Sequence, residues 1–351
     1  GQTPVFGIPG YPVSAIIAFE QFVRPLIHRM LGQPDDTGET IQVEPTRKIA
    51  SKLGVEEFLR VKLGQVGDRI VATPLPRGAG SITSITEADG IIRIPTHIEG
   101  INDREKVSAQ LLRPLPSVLR TIVIVGSHDN TLDVLADQIK ARHSRLTLSS
   151  SHVGSMGGLM AIKKGVCHLA GSHLLDPQDG SYNVSYIEKF LAQVDVKLVN
   201  LVLRDQGLIV GRGNPKSIKG IEDLARNDIS FINRQAGSGT RILLDYRLNQ
   251  IGIDPADING YHHEEFTHMA VAVAVLSGTV DAGLGIHAAA AALDLDFIPV
   301  VTEQYDLIIA AEHFDSENIQ LLLEAVNSRQ FKRRVDALGG YSTEKTGEII
   351  L

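Results

Sequence analysis

Four short stretches set hydroxyl, amide and imidazole groups immediately after an apolar β run. They are Gly126-Ser127-His128-Asp129-Asn130-Thr131, Ser149-Ser150-Ser151-His152-Val153-Gly154-Ser155, Gly171-Ser172-His173 and Gln235-Ala236-Gly237-Ser238-Gly239-Thr240-Arg241. In an open α/β sheet, ligands bind beyond the C-terminal ends of the strands. A helix that starts there adds its unpaired N–H groups. A tetrahedral oxyanion taken out of water needs many short neutral donors more than it needs a countercharge. The candidate contacts are therefore Ser127, Asn130, Thr131, Ser150, Ser151, His152, Ser155, Ser172, His173, Ser238, Gly239 and Thr240. Thr267, ahead of a further apolar helix, joins them, and Arg241 is the natural cation. Ordinary helix capping uses the same residue types, and an arginine at a helix start also suits a surface ion pair. Any one junction leaves both readings open; their repetition within one region points to a ligand.

Other chemistries fare less well. His128, His152, His173, His262, His263 and His268 lack compact metal-ligand spacing, and Cys167 is the single cysteine, so no metal site is expected. No nucleophile stands with a paired base at a known motif spacing, so no catalytic residue is assigned. A formal charge of -7 argues against general nucleic-acid binding but not against a locally electropositive anion site. A lone cysteine fits a reducing compartment. No apolar run is long enough to span a bilayer and no basic-then-apolar leader opens the chain, which favours a cytoplasmic protein without a membrane partner. The abrupt opening inside a turn suggests a fragment of something longer.

The 351 residues exceed what one core usually organises. Residues 1–32 read as a turn and one helix, with Ile16, Phe19, Val23, Leu26, Ile27 and Met30 on one face and Gly32 at its end. Residues 33–116 hold short strand candidates around 58–63, 69–73, 90–95 and 107–112 and read as a small β domain, a partly closed barrel. From 117 to 351, strands and helices alternate. Apolar segments at 197–203 and 207–211 are interrupted by Arg204-Asp205-Gln206, and strands are expected at 296–301 and 307–310.

The first two pieces resemble the C-terminal part of the MoeA family, the molybdopterin molybdotransferases. The resemblance is carried by Gly7-Ile8-Pro9-Gly10-Tyr11-Pro12-Val13-Ser14, with Tyr11 where that family has Asn, and by Glu57-Phe58-Leu59-Arg60-Val61. Ala72-Thr73-Pro74-Leu75, Gly80-Ser81, Ala88-Asp89-Gly90 and Glu99-Gly100 extend it. It implies insertion of molybdate into an adenylylated pterin with Mg2+, with Pro9 and Pro12 bordering the cleft and Arg60 and Ser81 offered to the oxyanion. An arginine fork and a hydroxyl suit a tetrahedral dianion, although Arg60 also reads as an exposed strand residue. The family's pterin-binding core lies upstream of Gly1, so this chain alone is not expected to catalyse the transfer. The family's dimers leave a homodimer open.

Residues 120–351 resemble the type II periplasmic binding proteins, in particular the cytoplasmic PBP-like domain related to molybdate- and tungstate-binding proteins. The carriers are residues 151–159, His173-Leu174-Leu175-Asp176-Pro177, Arg204-Asp205-Gln206-Gly207-Leu208, 235–241 and 281–286. The fold class expected is thus α/β, a two-lobed type II periplasmic-binding-protein fold preceded by a helix and a small barrel-like domain. Lobe I would take about 117–209 and 301–351, lobe II about 210–300, with crossovers at 204–213 and 300–306. The function this implies is binding of molybdate or tungstate in the service of molybdenum-cofactor biosynthesis. A regulatory module sensing a pterin or another small molecule is the alternative.

Overall fold

The computed structural model describes residues 3–34, 38–78 and 82–351. They form two units, Gly1–Val123 and Ile124–Leu351. The first contains a closed five-stranded barrel of β1 (Thr40–Pro45), β2 (Glu57–Val66), β3 (Arg69–Pro74), β4 (Gly90–Ile94) and β5 (Val107–Leu111), in the order β1-β3-β2-β4-β5. Its interior is aliphatic: Val43, Leu59, Val61, Leu63, Ile92, Ile94 and Ala109 are buried together. Alternation along short strands supplies this inward set, and closure leaves no unpaired edge.

The helix at 12–30 departs from expectation. It is α1 (Pro12–Ala18) and α2 (Arg24–Met30) joined by a π-helical turn, Phe19–Val23. A π turn adds a residue per turn and breaks the 3.6-residue period. Along this stripe Ile16, Phe19, Ile27 and Met30 are exposed, and Val23 and Leu26 half-buried.

The second unit is built on a mixed sheet. Its strands are β6 (Thr121–Gly126), β7 (Thr147–His152), β8 (Leu169–Ser172), β9 (Val196–Val210), β10 (Phe231–Arg234), β11 (Glu264–Glu265), β12 (Ala282–Ile286) and β13 (Asp296–Ala310). Their order is β11-β10-β12-β9-β13-β8-β6-β7, and the short β14 (Tyr341–Ser342) pairs with β9. The strands β9 and β13, 15 residues each, run antiparallel along their whole length, from Val196 opposite Ala310 to Val210 opposite Asp296. At one end β8 pairs with β13 (Leu169 with Ile309 to Ser172 with Asp306). At the other β12 pairs with β9 (Gln206 with Ile286 to Val210 with Ala282). Two lobes thus share two continuous strands. The apolar segments that Arg204-Asp205-Gln206 was expected to interrupt are one strand, as are 296–310. Polar residues inside a strand normally argue for a loop, but here Arg204 and Gln206 find buried partners and Asp205 accepts from Thr302 at 2.7 Å.

Helices fill both lobes: α3 (Asn130–Arg142), α4 (Ser155–Lys164), α5 (Gly239–Ile251) and α6 (His268–Leu276) each start just after a strand or strand-like segment. Leu243, Leu244 and Leu248 of α5 pack with Phe231, Leu208 and Leu284 in the core of the second lobe. Caps fix three of the starts. Asp129 accepts from Thr131 N at 2.8 Å, Ser238 from Arg241 N at 3.2 Å and Thr267 from Ala270 N at 3.0 Å. Each such cap stabilises its helix by about 1 kcal/mol. The fourth start uses Gly154 at φ 79°, a left-handed conformation that glycine adopts without strain.

Candidate functional site: a buried polar cleft between the lobes

The first lobe contributes a chain of hydrogen bonds. Ser127, at the end of β6, holds its hydroxyl 2.9 Å from His173 Nε2. The His173 backbone N–H donates to Ser155 Oγ at 3.2 Å, and its ring Nδ1 lies 3.1 Å from Glu303 Oε2 on β13. Ser155 is fully buried and His173 nearly so. Tyr305 stacks on the imidazole, ring centroids 5.9 Å apart, and its hydroxyl donates to the Ser127 carbonyl at 2.5 Å.

Behind this chain sits Arg204, fully buried on β9 and directly opposite Glu303 in the register. Its guanidinium donates to Glu303 and to Asp129, and lies over the Tyr305 ring at 4.9 Å. Asp129 also accepts from Tyr341 Oη at 3.1 Å. The Arg204 charge and the adjoining hydrogen bonds hold the Glu303 carboxyl down at about 2 against the opposing cost of burial, and Asp129 below its ordinary value in the same way. Both carboxylates are therefore ionised at neutral pH.

The second lobe faces these groups with Arg234, at the end of β10. It is 5 % exposed, yet no carboxylate bonds it. Its hydrogen bonds go to the carbonyls of Glu265 (3.2 Å) and Phe266 (3.0 Å) and to Gln235 Oε1 (3.3 Å), while Nη1 has no partner. Burial and repulsion from Arg204 push its pKa down to about 10, so the charge remains at pH 7. Beside it lies His268, the first residue of α6, buried with Nδ1 unpartnered. Burial and the Arg234 charge hold this ring neutral. Gln206 on β9 donates to Thr240 Oγ1 at 3.1 Å, joining the shared strand to the start of α5. There Gly239 lies flat against His173, where a Cβ would come within 2.4 Å of the imidazole. The lobes meet at that contact.

The sequence candidates divide accordingly. Ser127, Ser155, His173, Gly239 and Thr240 come together in the buried network where the lobes meet. The Thr131 hydroxyl donates to Asp129, so it supports the carboxylate. Ser172 points instead into a separate buried network, donating to Asn183 Oδ1 at 2.7 Å. Ser238 and Thr267 cap helices. Ser151 is buried, Ser150 and Asn130 are half-buried, and the exposed His152 meets His128 edge to face at 4.4 Å. Arg241 pairs with Asp245 (3.2 Å) and Glu264 (3.5 Å) and covers the Tyr261 ring at 3.9 Å. The residues that sequence reasoning passed over are Asp129, Arg204, Gln206, Arg234, His268 and Glu303. Arg234 sits one residue before the stretch singled out at 235–241.

In the first unit, Arg60 is buried rather than an exposed strand residue. It donates through Nη2 to Pro76 O at 2.9 Å, with Nε unpartnered, and burial lowers its pKa. It lines a cavity of about 340 Å³ with Val13, Ser14, Ile17 and Arg77. Pro9 is exposed and Pro12 opens α1. Ser81 lies outside the described residues.

Ser127, His173 and Glu303 stand in the order of nucleophile, base and orienting carboxylate. A general base acts from the neutral imidazole and ends as the imidazolium, which burial and two nearby guanidiniums disfavour in the free protein. The donor set, unpartnered guanidinium nitrogens on Arg234 and Arg204 and several helix starts, instead suits an anion.

Two lobes that share the long strands β9 and β13 meet over a buried polar network, the architecture of a two-lobed α/β fold. The PBP superfamily domain matches residues 136–327, more than half of the chain, and the chain belongs to that superfamily. The MoeA C-terminal region (domain IV) matches residues 42–112, the barrel. The uncharacterized protein YvgK of Bacillus subtilis (strain 168) is 38% identical over 232 residues, 66% of this chain and 74% of that protein. The putative molybdopterin biosynthesis protein MJ0666 of Methanocaldococcus jannaschii is 35% identical over 111 residues, 31% of this chain but only 25% of its own length. Among solved structures, the tungstate ABC transporter protein from Geobacter sulfurreducens is 15% identical with a TM-score of 0.46, over 62% of this chain and 98% of that one. The molybdopterin biosynthesis MoeA protein from Pyrococcus horikoshii OT3 is 26% identical with a TM-score of 0.26, over 29% of this chain and 26% of that one.

Proposed function

We propose that the two-lobed unit binds a small tetrahedral oxyanion, molybdate or tungstate, in the cleft between its lobes, in the service of molybdenum-cofactor biosynthesis. The observation that carries this reading is Arg234: a buried guanidinium with no carboxylate bonded to it and an unpartnered Nη1. It stands opposite a lobe whose own cation, Arg204, is already committed to two carboxylates. A buried charge of this kind is costly unless a ligand completes it. The choice of metal rests on the MoeA C-terminal region in the same chain and on the relative named for molybdopterin biosynthesis. The close contact of Gly239 with His173 favours a small anion over a pterin, which would need the lobes to part there.

Isothermal titration with molybdate, tungstate, sulfate and phosphate tests the proposal, on the protein and on Arg234→Met. Losing one partner of a desolvated charged hydrogen bond costs about 2–5 kcal/mol, so the variant should bind at least about thirtyfold more weakly. Its melting temperature should hold or rise, since an uncompensated buried cation has gone. No heat from any anion, or undiminished affinity in the variant, overturns the assignment.

A further inference from the structure

The Ser127–His173–Glu303 chain dictates where its hydrogens lie. Glu303 is ionised, so His173 Nδ1, 3.1 Å away, must be the donor. In the neutral imidazole Nε2 is then a bare acceptor, and the hydrogen in its 2.9 Å contact with Ser127 belongs to the serine. Ser127 has only that one hydrogen. While it is spent on His173, the hydroxyl offers nothing but lone pairs to the cleft. A fully deprotonated oxyanion also offers only lone pairs, and two buried acceptors face to face are unfavourable.

We propose that a bare tetrahedral oxyanion enters this cleft together with one proton, which lodges on His173 Nε2. The imidazolium then donates to Ser127 Oγ, and the serine hydrogen turns to the ligand. One N–H bond forms at Nε2 with a proton given up by hydronium or a buffer acid, while the serine O–H bond only rotates. This inference rests on the anion reading above.

The surroundings of the ring fit such a switch. It is faced by Glu303 and Tyr305 from β13, Arg204 from β9, Arg234 from β10, Ser127 after β6, Ser155 from α4, Gly239 from α5 and His268 from α6. In the free protein burial, with Arg204 and Arg234, keeps the imidazole below its ordinary pKa against the pull of Glu303. An anion among these groups reverses the balance and favours the charged ring. Hydrogen phosphate carries a hydrogen of its own and can donate it to Ser127 directly.

The test is calorimetric titration of the full chain with tungstate at pH 7.5, in buffers of different ionisation enthalpy. The observed heat should track the buffer with a slope corresponding to about one proton taken up per anion. Affinity should weaken about tenfold per unit rise in pH. Hydrogen phosphate, if it binds, should show markedly less uptake. His173→Gln should abolish the uptake. Ser127→Ala, a milder change, removes the acceptor oxygen that the proton serves to silence and should reduce it toward zero. Tungstate binding without buffer dependence, or uptake unchanged in Ser127→Ala, overturns this inference alone. Absence of binding by every anion overturns the anion reading and this inference with it.

Discussion

Replacing Arg204 by methionine probes the network beneath the cleft. The guanidinium is fully buried, bonded to Asp129 and Glu303 and stacked on Tyr305. Methionine fills much of the same volume but leaves two buried carboxylates without their bonded cation. Removing one partner of a buried pair costs about 3–5 kcal/mol. The titration of Glu303 gives a second measure: a carboxyl held at about 2 against an ordinary 4.5 corresponds to about 3 kcal/mol favouring the native charged form. Because the folded pKa is depressed, that contribution is complete above about pH 4.5 and is lost as the pH falls toward 2. At pH 7 all of it is at stake, and Asp129 acts in the same direction. Urea unfolding followed by circular dichroism should show the second unit's midpoint lowered by about 1.5 M, for a slope of about 2–3 kcal/mol/M. In the variant, burial without the cation raises both carboxyls, so protonation relieves them. The gap to the parent protein should then narrow as the pH is lowered from 7 to 5. A gap below about 1 kcal/mol, or one that does not change with pH, would refute the claim that Arg204 acts through charge rather than packing.

Two further outcomes follow from the geometry. Gly239→Ala places a methyl 2.4 Å from the His173 ring, so the lobes cannot meet as they do here. Anion affinity measured by calorimetry should fall at least tenfold, and urea stability by about 1–3 kcal/mol, the usual cost of forcing volume into a packed contact. Burial pushes Asp306 up to about 6 even though Gln304, Asn183 and Asn200 donate to it at 2.8, 2.8 and 2.9 Å. A raised carboxyl destabilises the native state when ionised, so stability should increase by about 1 kcal/mol as the pH falls from 7 to 5. In Asp306→Asn that increment should disappear from the denaturation profile.

Much of the architecture was legible because it is written in local period. The apolar β runs at 121–125 and 229–232, each followed by small hydroxyl residues, announce strand ends and helix starts. The five-stranded barrel follows from short alternating runs with turns between them. The helix at 12–30 was legible from its apolar stripe and the closing Gly32, but its π turn was not, because a π turn leaves no mark in a 3.6-residue pattern. The site was legible only in its local half: Ser127, Ser155 and His173 sit where a junction signal places them. Arg204, Asp129 and Glu303 are separated by 75 and 99 residues from one another along the pairs they form, and no spacing rule links them. A usable signal did exist, since Arg204 and Gln206 lie between the apolar segments 201–203 and 207–210, and a charge inside a buried strand demands a partner. Arg241 drew attention because it stands inside the Ser-Gly-Thr motif, whereas the uncompensated guanidinium is Arg234, at the strand's last position.

The network's place on the two shared strands ties the chemistry of the cleft to its closure. Arg204 and Gln206 are two residues apart on β9 and so lie on the same face of it. Arg204 reaches Asp129 at the start of α3, in the first lobe, while Gln206 reaches Thr240 at the start of α5, in the second. Glu303, opposite Arg204 in the register, reaches His173. The ladder between β9 and β13 shifts register on either side of this pair, between Asn200 and Val202 and again between Gln206 and Gly207. Bulges are where paired strands bend most readily. A bend there would separate Thr240 and Gly239 from Gln206 and His173 while leaving the Arg204 bonds within the first lobe intact. An anion that gains Arg234 only when the lobes meet binds the closed form better than the open one. By that difference alone it would draw the equilibrium toward closure.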